Sequence, residues 1–138
     1  MASKKFPFIL FDALLPRPLI PVDFPKSSLY CLIDSGASFS FMSADIMRHE
    51  EIGFSRESKS ESAEGICGKP EPCIDILGTT PKIALKIDGL SKEIKVAFKV
   101  MGTRHNLPSP ILGLNFFEQV MVGFGKDKDN LFTILKEY

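Results

Sequence analysis

The residue best set for chemistry is Asp34. It ends the apolar run Leu29-Tyr30-Cys31-Leu32-Ile33 and opens the turn Asp34-Ser35-Gly36-Ala37. Apolar residues at every position of such a run describe a strand buried on both faces. The carboxyl would then be carried from the interior onto a tight turn. Asp, Ser and Gly are common turn formers, so an isolated Asp-Ser-Gly carries little weight. Two further features follow it. Gly65, Ile66, Cys67 and Gly68 lie in a polar stretch that runs into the turn cluster Pro70-Glu71-Pro72, and Ile111-Leu112-Gly113-Leu114-Asn115 brings a glycine up to a short helical segment. The remaining candidates are weaker. His49 and His105 are single and far apart, which gives neither a metal set nor a catalytic triad. Gly123-Phe124-Gly125-Lys126 lacks the first glycine of a phosphate loop, since position 120 is Val120. Asp127 and Asp129 have calcium-loop spacing, but Phe132 stands where that loop needs glycine and Tyr138 where it needs glutamate. The expectation is no metal and no cofactor.

The elements that must position Asp34 are mostly strands. Pro7 to Phe11 is a short apolar run, and the stretch from Phe6 to Leu15 reads as strand and not as a targeting segment. Pro16 to Pro25 carries four prolines, which suits an edge or connecting chain and excludes a central strand. After the Asp34 turn, Phe39 and Phe41 alternate with Ser38 and Ser40 as a second short strand. Ser43 can cap a helix over Ala44 to His49. The polar run from Ser55 to Ala63 has no core stripe and reads as the arm of a projecting hairpin. Lys82 to Ile87 and Ile94 to Val100 alternate around Asp88-Gly89, a hairpin cue. Met101 to Pro110 reads as a loop. Asn115 and Glu118 have the spacing of a capping box for a helix over Phe116 to Val120. Lys126 to Asn130 reads as a solvated turn before a last strand, Leu131 to Leu135.

In this order the pieces resemble the retropepsin family: the proteases of retroviruses and retrotransposons, and their cellular relatives in the DNA-damage-inducible ubiquitin-shuttle proteins. The resemblance rests on Leu32-Ile33-Asp34-Ser35-Gly36-Ala37 and Ile111-Leu112-Gly113-Leu114-Asn115, and it covers roughly Leu29 to Leu135. It implies an all-β fold, a small closed retropepsin-type barrel with one or two short helices. It implies an aspartic endopeptidase, in which two carboxylates share one proton because like charges so close cannot both ionise. Only one Asp-Ser-Gly is present, so the second carboxylate would come from Asp34 of another copy, in a symmetric homodimer. The resemblance further implies that Ser35 bridges the two loops below the carboxylates and that Gly36 allows close backbone approach. Ala37 would keep the cleft floor small. Gly65, Ile66, Cys67 and Gly68 would form the flap over a bound peptide, and Ile111, Leu112 and Gly113 would pack beneath the active-site loop. Two departures stand out: the flap lacks a Gly-Gly tip, and the N-terminal segment is proline-rich. The alternative is a non-catalytic dimerisation or peptide-binding module of the same fold.

Length and composition agree with one domain over residues 1–138, with 1–27 as an N-terminal extension or edge strand. A chain of 138 residues can bury a core without staples, since domains of about 150 residues bury roughly two-thirds of their unfolded surface. The 17 basic and 17 acidic residues cancel, which gives no electrostatic reason to expect a nucleic-acid partner. No run reaches the ~18 apolar residues of a membrane span. The three cysteines, Cys31, Cys67 and Cys73, make an odd count without metal-type spacing. With no signal peptide in view, that points to a reducing, cytoplasmic setting. Cys67 and Cys73 could nevertheless face each other across a hairpin.

Overall fold

A computed structural model describes residues 2–10, 15–63, 74–102 and 107–138. The chain begins with β1 (Ser3–Pro7), β2 (Ile9–Leu10), β3 (Pro16–Arg17), β4 (Leu19–Asp23), β5 (Ser28–Ile33) and β6 (Ser40–Ser43). Helix α1 (Ala44–His49) follows, then β7 (Ser55–Ala63), β8 (Ile74–Thr79), β9 (Ile83–Leu85), β10 (Ile94–Val96) and β11 (Phe98–Met101). The last part is β12 (Ile111–Leu112), α2 (Leu114–Phe117), β13 (Val120–Asp127) and β14 (Asn130–Glu137). Strands dominate and both helices are short, as the sequence implies.

The largest sheet has seven strands in the order β4-β5-β12-β6-β11-β8-β7. Two of its pairings are parallel, β5 with β12 and β6 with β11. Parallel neighbours need long connections, so residues far apart in sequence meet in this sheet. Among the described residues the ladder runs open from β4 to β7. Hydrogen-bonded closure into a barrel, anticipated above, is not among these pairings. A second sheet, β1-β14-β13, joins the two ends of the chain, with Phe6 opposite Thr133 and Val122 opposite Leu135. The N-terminal segment is woven into both sheets. Phe6, Leu19, Ile20 and Val22 are all buried, and β4 pairs with β5 at the edge of the large sheet, with one further bridge from Asp23 to Lys86.

Several local expectations change in three dimensions. Strand β5 is buried at Cys31 and Ile33 but leaves Tyr30 54% exposed. It alternates instead of being covered on both faces. The Asp-Gly hairpin forms, with Ile94 opposite Leu85 and Gly89 at φ +89°, a conformation that suits glycine. Its second strand stops at Val96, however, because the Ala97 carbonyl accepts a hydrogen bond from the Asn115 side chain. Phe98–Met101 then crosses into the large sheet. Ser43 caps α1 as expected, accepting from the Ile46 amide at 3.2 Å. Asn115 caps nothing: α2 starts at Leu114 behind Gly113, without a side-chain cap. The stretch Val120–Asp127 is a strand and not the end of a helix, and it turns at Lys128 (φ +56°) into β14.

One face of the large sheet carries the main core, including Ile20, Cys31, Ile33, Leu85, Phe98 and Leu112. Phe116 belongs to this core, fully buried, with Phe117 packed against it. A smaller cluster gathers Phe41, Ile76, Met101 and Ile111, and its partly buried rim is Leu32, Ala37, Phe39 and Leu107. This second apolar surface is only half covered, and it lies beside the turn at Asp34.

Candidate active site

Strand β5 ends one residue before Asp34. The Asp34 amide donates to the Leu112 carbonyl at 3.1 Å, which continues the parallel pairing of β5 with β12 into the turn. The carboxyl then folds back over its own loop. Asp34 Oδ1 accepts from the Gly36 amide at 2.9 Å, and the Asp34 carbonyl accepts from the Ala37 amide at 3.2 Å. This is the local hydrogen bonding that suits Asp to turns. Here it also fixes the direction of the carboxylate. A Cβ added at Gly36 would come within 3.3 Å of the same oxygen, so glycine keeps that approach open. Asp34 and Ala37 are half-buried; Ser35 and Gly36 are exposed on the turn.

Gly113 locks the turn from below. A Cβ there would meet the Phe39 carbonyl oxygen at 2.2 Å and the Ala37 carbonyl oxygen at 2.7 Å. Both are backbone atoms, which cannot swing aside as the end of a side chain could. The Leu114 amide donates to Ala37 at 3.0 Å, and the Gly113 amide donates to Ser40 Oγ at 3.0 Å. Ser40 is fully buried and donates in turn to Asn115 Oδ1 at 2.6 Å, while Asn115 Nδ2 reaches the Ala97 carbonyl at 2.8 Å. Buried polar groups are tolerated when each has a partner. This chain of four residues ties the Asp34 turn, α2 and the β10–β11 junction together. Gln119, in the turn after α2, extends it, accepting from the Lys95 amide at 3.1 Å and donating to the Lys95 carbonyl at 2.6 Å.

In front of the turn lies a cleft of about 460 Å³ lined by Arg17, Pro18, Leu19, Leu32, Ile33, Asp34, Leu107, Pro108, Ser109 and Ile111. Its lining is apolar apart from Arg17, Ser109 and Asp34. Asp34 is the only carboxylate among these lining residues. No group of acidic, His or Cys residues fit to hold a metal ion is found among the described residues. Burial drives the pKa of Cys31, behind the β5 strand, far upward, which keeps its thiol protonated and inert.

The structure therefore gathers Asp34, Ser35, Gly36, Ala37, Ile111, Leu112 and Gly113 in one place. The expected flap residues Gly65, Ile66, Cys67 and Gly68 lie outside the described residues, as do Cys73 and His105. Sequence reasoning missed Ser40 and Arg17 and gave Asn115 the wrong task. The alternation of Ser38 and Ser40 with two phenylalanines did hold a signal, because a strand buried on both faces would hide a serine that needs a partner.

No family model and no curated protein matches this sequence. Solved structures do match. The retroviral protease-like domain of Ddi1 from Leishmania major is 15% identical, with a TM-score of 0.56 over 85% of this chain and 93% of that one. A retropepsin-like aspartic protease from Rickettsia conorii is 17% identical, with a TM-score of 0.51 over 97% and 94%. EIAV protease in complex with the inhibitor HBY-793 is 23% identical, with a TM-score of 0.50 over 78% and 90%.

Proposed function

We propose that this chain, which has the retropepsin-like fold, is an aspartic endopeptidase whose active site is completed by a second copy of itself. The observation that carries the reading is the setting of Asp34: a half-buried carboxylate, aimed by the Gly36 amide, at an apolar cleft with no second carboxylate among its described lining residues. A two-fold axis beside the turn would bring two Asp34 side chains together. One would stay protonated and the other charged, and the pair would titrate as a unit. The charged member takes a proton from water, the protonated member donates to the substrate carbonyl oxygen, and the water oxygen attacks the carbonyl carbon. The substrate would be an extended peptide with apolar side chains, because the half-covered surface of Leu32, Phe39 and Leu107 is apolar. Residues 65–68 would close over it.

The odd cysteine count supports a reducing, cytoplasmic location, and residues 1–138 would act as a single domain. A free edge favours self-association: among the described residues β13 pairs only with β14. Such an edge readily accepts another strand. The second reading is a non-catalytic module that uses the same dimer to hold peptides.

The test is cleavage of a mixed peptide library from about pH 4.5 to 7, at protein concentrations high enough to populate a dimer. Asp34→Asn should abolish cleavage by at least about a thousandfold, within the range of acid–base catalysis. Absence of cleavage by a demonstrably dimeric native protein would leave the binding module as the better account.

A further inference from the structure

One carboxylate away from the Asp34 cleft is buried and held by several donors at once. Glu137, near the end of β14, has only 7% of its surface exposed. Its Oε1 accepts from the Ser91 amide at 2.5 Å and from the Lys92 amide at 2.9 Å. The Ser91 hydroxyl lies 2.9 Å from Oε1 and 2.8 Å from Oε2. Two successive amides and a hydroxyl in one turn make a small anion-binding concavity. These donors are neutral, and no ion pair to Glu137 forms among the described residues. The charged and titratable groups around it are Lys92 and Glu93 of the same turn, Glu118 after α2 and Tyr138 next along β14. On β1, Lys4 is paired with Asp88 at 3.3 Å, and Lys136 is exposed on the other face of β14.

This contact holds the terminal sheet. The Glu137 amide donates to the Ala2 carbonyl at 3.0 Å, and Glu137 stands opposite Val120, the first residue of β13. Among the described residues β13 pairs only with β14, so its other edge is free. The carboxylate thus pins the end of β14, and with it the start of that edge, to the β9–β10 turn. A protonated carboxyl is a weaker acceptor than the anion, and every group that faces it here comes as a donor.

We propose that Glu137 and the Ser91–Lys92 turn form an acid-sensitive clasp that fixes the free β13 edge and, through it, the self-association of the chain. The self-association part rests on the dimer reading above. The Ser91 hydroxyl first, and the amides after it, favour the charged form, so the clasp is closed above the ordinary carboxylate range and opens as pH falls below it. Because its donors are neutral, salt should hardly move it.

The test uses the Asp34→Asn chain throughout, which removes any Asp34 pair from the titration. Dimer dissociation is measured by analytical ultracentrifugation from about pH 7 to 3, and the amides of Ser91, Lys92 and β13 are followed by NMR. The dissociation constant should be flat above about pH 5.5 and rise roughly tenfold as the Ser91 and Lys92 signals titrate, with faster amide exchange along β13. Glu137→Gln, a neutral stand-in for the protonated group, should dimerise roughly tenfold more weakly at neutral pH and lose the acid response. Ser91→Ala, which keeps both amides, should move the midpoint to higher pH, and Glu118→Gln should leave it in place. An acid response that persists in Glu137→Gln overturns the inference, as do Ser91 and Lys92 amides that titrate without any change in dimerisation. Both of those results leave the protease reading intact. A chain that stays monomeric at neutral pH refutes the dimer reading instead, and the amides then decide: acid loss of protection along β13 that Glu137→Gln abolishes upholds the clasp, and its absence overturns it.

Discussion

Gly113→Ala is the sharpest test of how the turn at Asp34 is held. The added methyl would sit 2.2 Å from the Phe39 carbonyl oxygen, 2.7 Å from the Phe39 carbonyl carbon and 2.7 Å from the Ala37 carbonyl oxygen. Contacts below 3.0 Å must open, so the 37–39 loop or α2 has to move by nearly an ångström. Overpacking of this kind typically costs 1–3 kcal/mol. With backbone on both sides the upper end, about 3 kcal/mol, is the reasonable figure. Unfolding entropy near 2.1 cal/mol/K per residue gives a chain of this length a fall in Tm of about 10 °C. On the proposed protease function the displacement also reaches chemistry, because Ala37 is hydrogen-bonded to both Leu114 and Asp34. Misplacing a catalytic group by about 1 Å can lower the rate by about a hundredfold. The assay is thermal unfolding by circular dichroism, with peptide cleavage measured well below the transition. Protein concentration is held fixed because dimerisation shifts Tm. Gly53→Ala is the control, since a Cβ there meets nothing within 4 Å; its Tm should stay within about 2 °C of the native value. If Gly113→Ala also stays within that margin and cleaves normally, the locking of the turn by Gly113 is wrong.

The other predictions are smaller. Asn115→Leu leaves the Ala97 carbonyl and the Ser40 hydroxyl without their partner, which should destabilise by about 1–3 kcal/mol in denaturant titration. Ser43→Ala removes the cap of α1 and should lower stability by about 1 kcal/mol in the same measurement. Glu137 is held below the usual carboxylate range, first by the Ser91 hydroxyl and then by the Ser91 and Lys92 amides. Its folded pKa is depressed, so its stabilising contribution is fully present above the unfolded value of 4.5 and is lost as pH falls through the lower folded value. The stability gap between the native chain and Glu137→Gln should therefore be flat above about pH 5.5 and close under more acidic conditions. Cys31 should resist thiol reagents until the chain unfolds, because its thiol is buried and kept protonated; rapid labelling of the native protein would contradict this.

Much of the site was legible in the chain itself. Apolar runs broken by turn formers announced a strand-rich fold, and Leu32 to Ala37 and Ile111 to Asn115 marked the turn and the glycine beneath it. Ser43 announced its helix, because a cap is a contact between residues three apart. These signals are local, so neighbouring residues carry them. The sequence did not carry the partners. Ser40 meets Gly113 across 73 positions and Asn115 across 75, and it is the antiparallel pairing of β12 with β6, Ile111 opposite Phe41, that brings them together. The same long-range pairing took Asn115 from the expected cap and cut the predicted strand at Ala97. It also left Tyr30 in solvent on a run that reads as buried throughout. Hydrophobic pattern and turn chemistry determined which segments are strands and where Asp34 turns. Which strands neighbour one another, and hence what holds Asp34, was decided only when distant segments packed, because that energy belongs to contacts no short stretch of sequence contains.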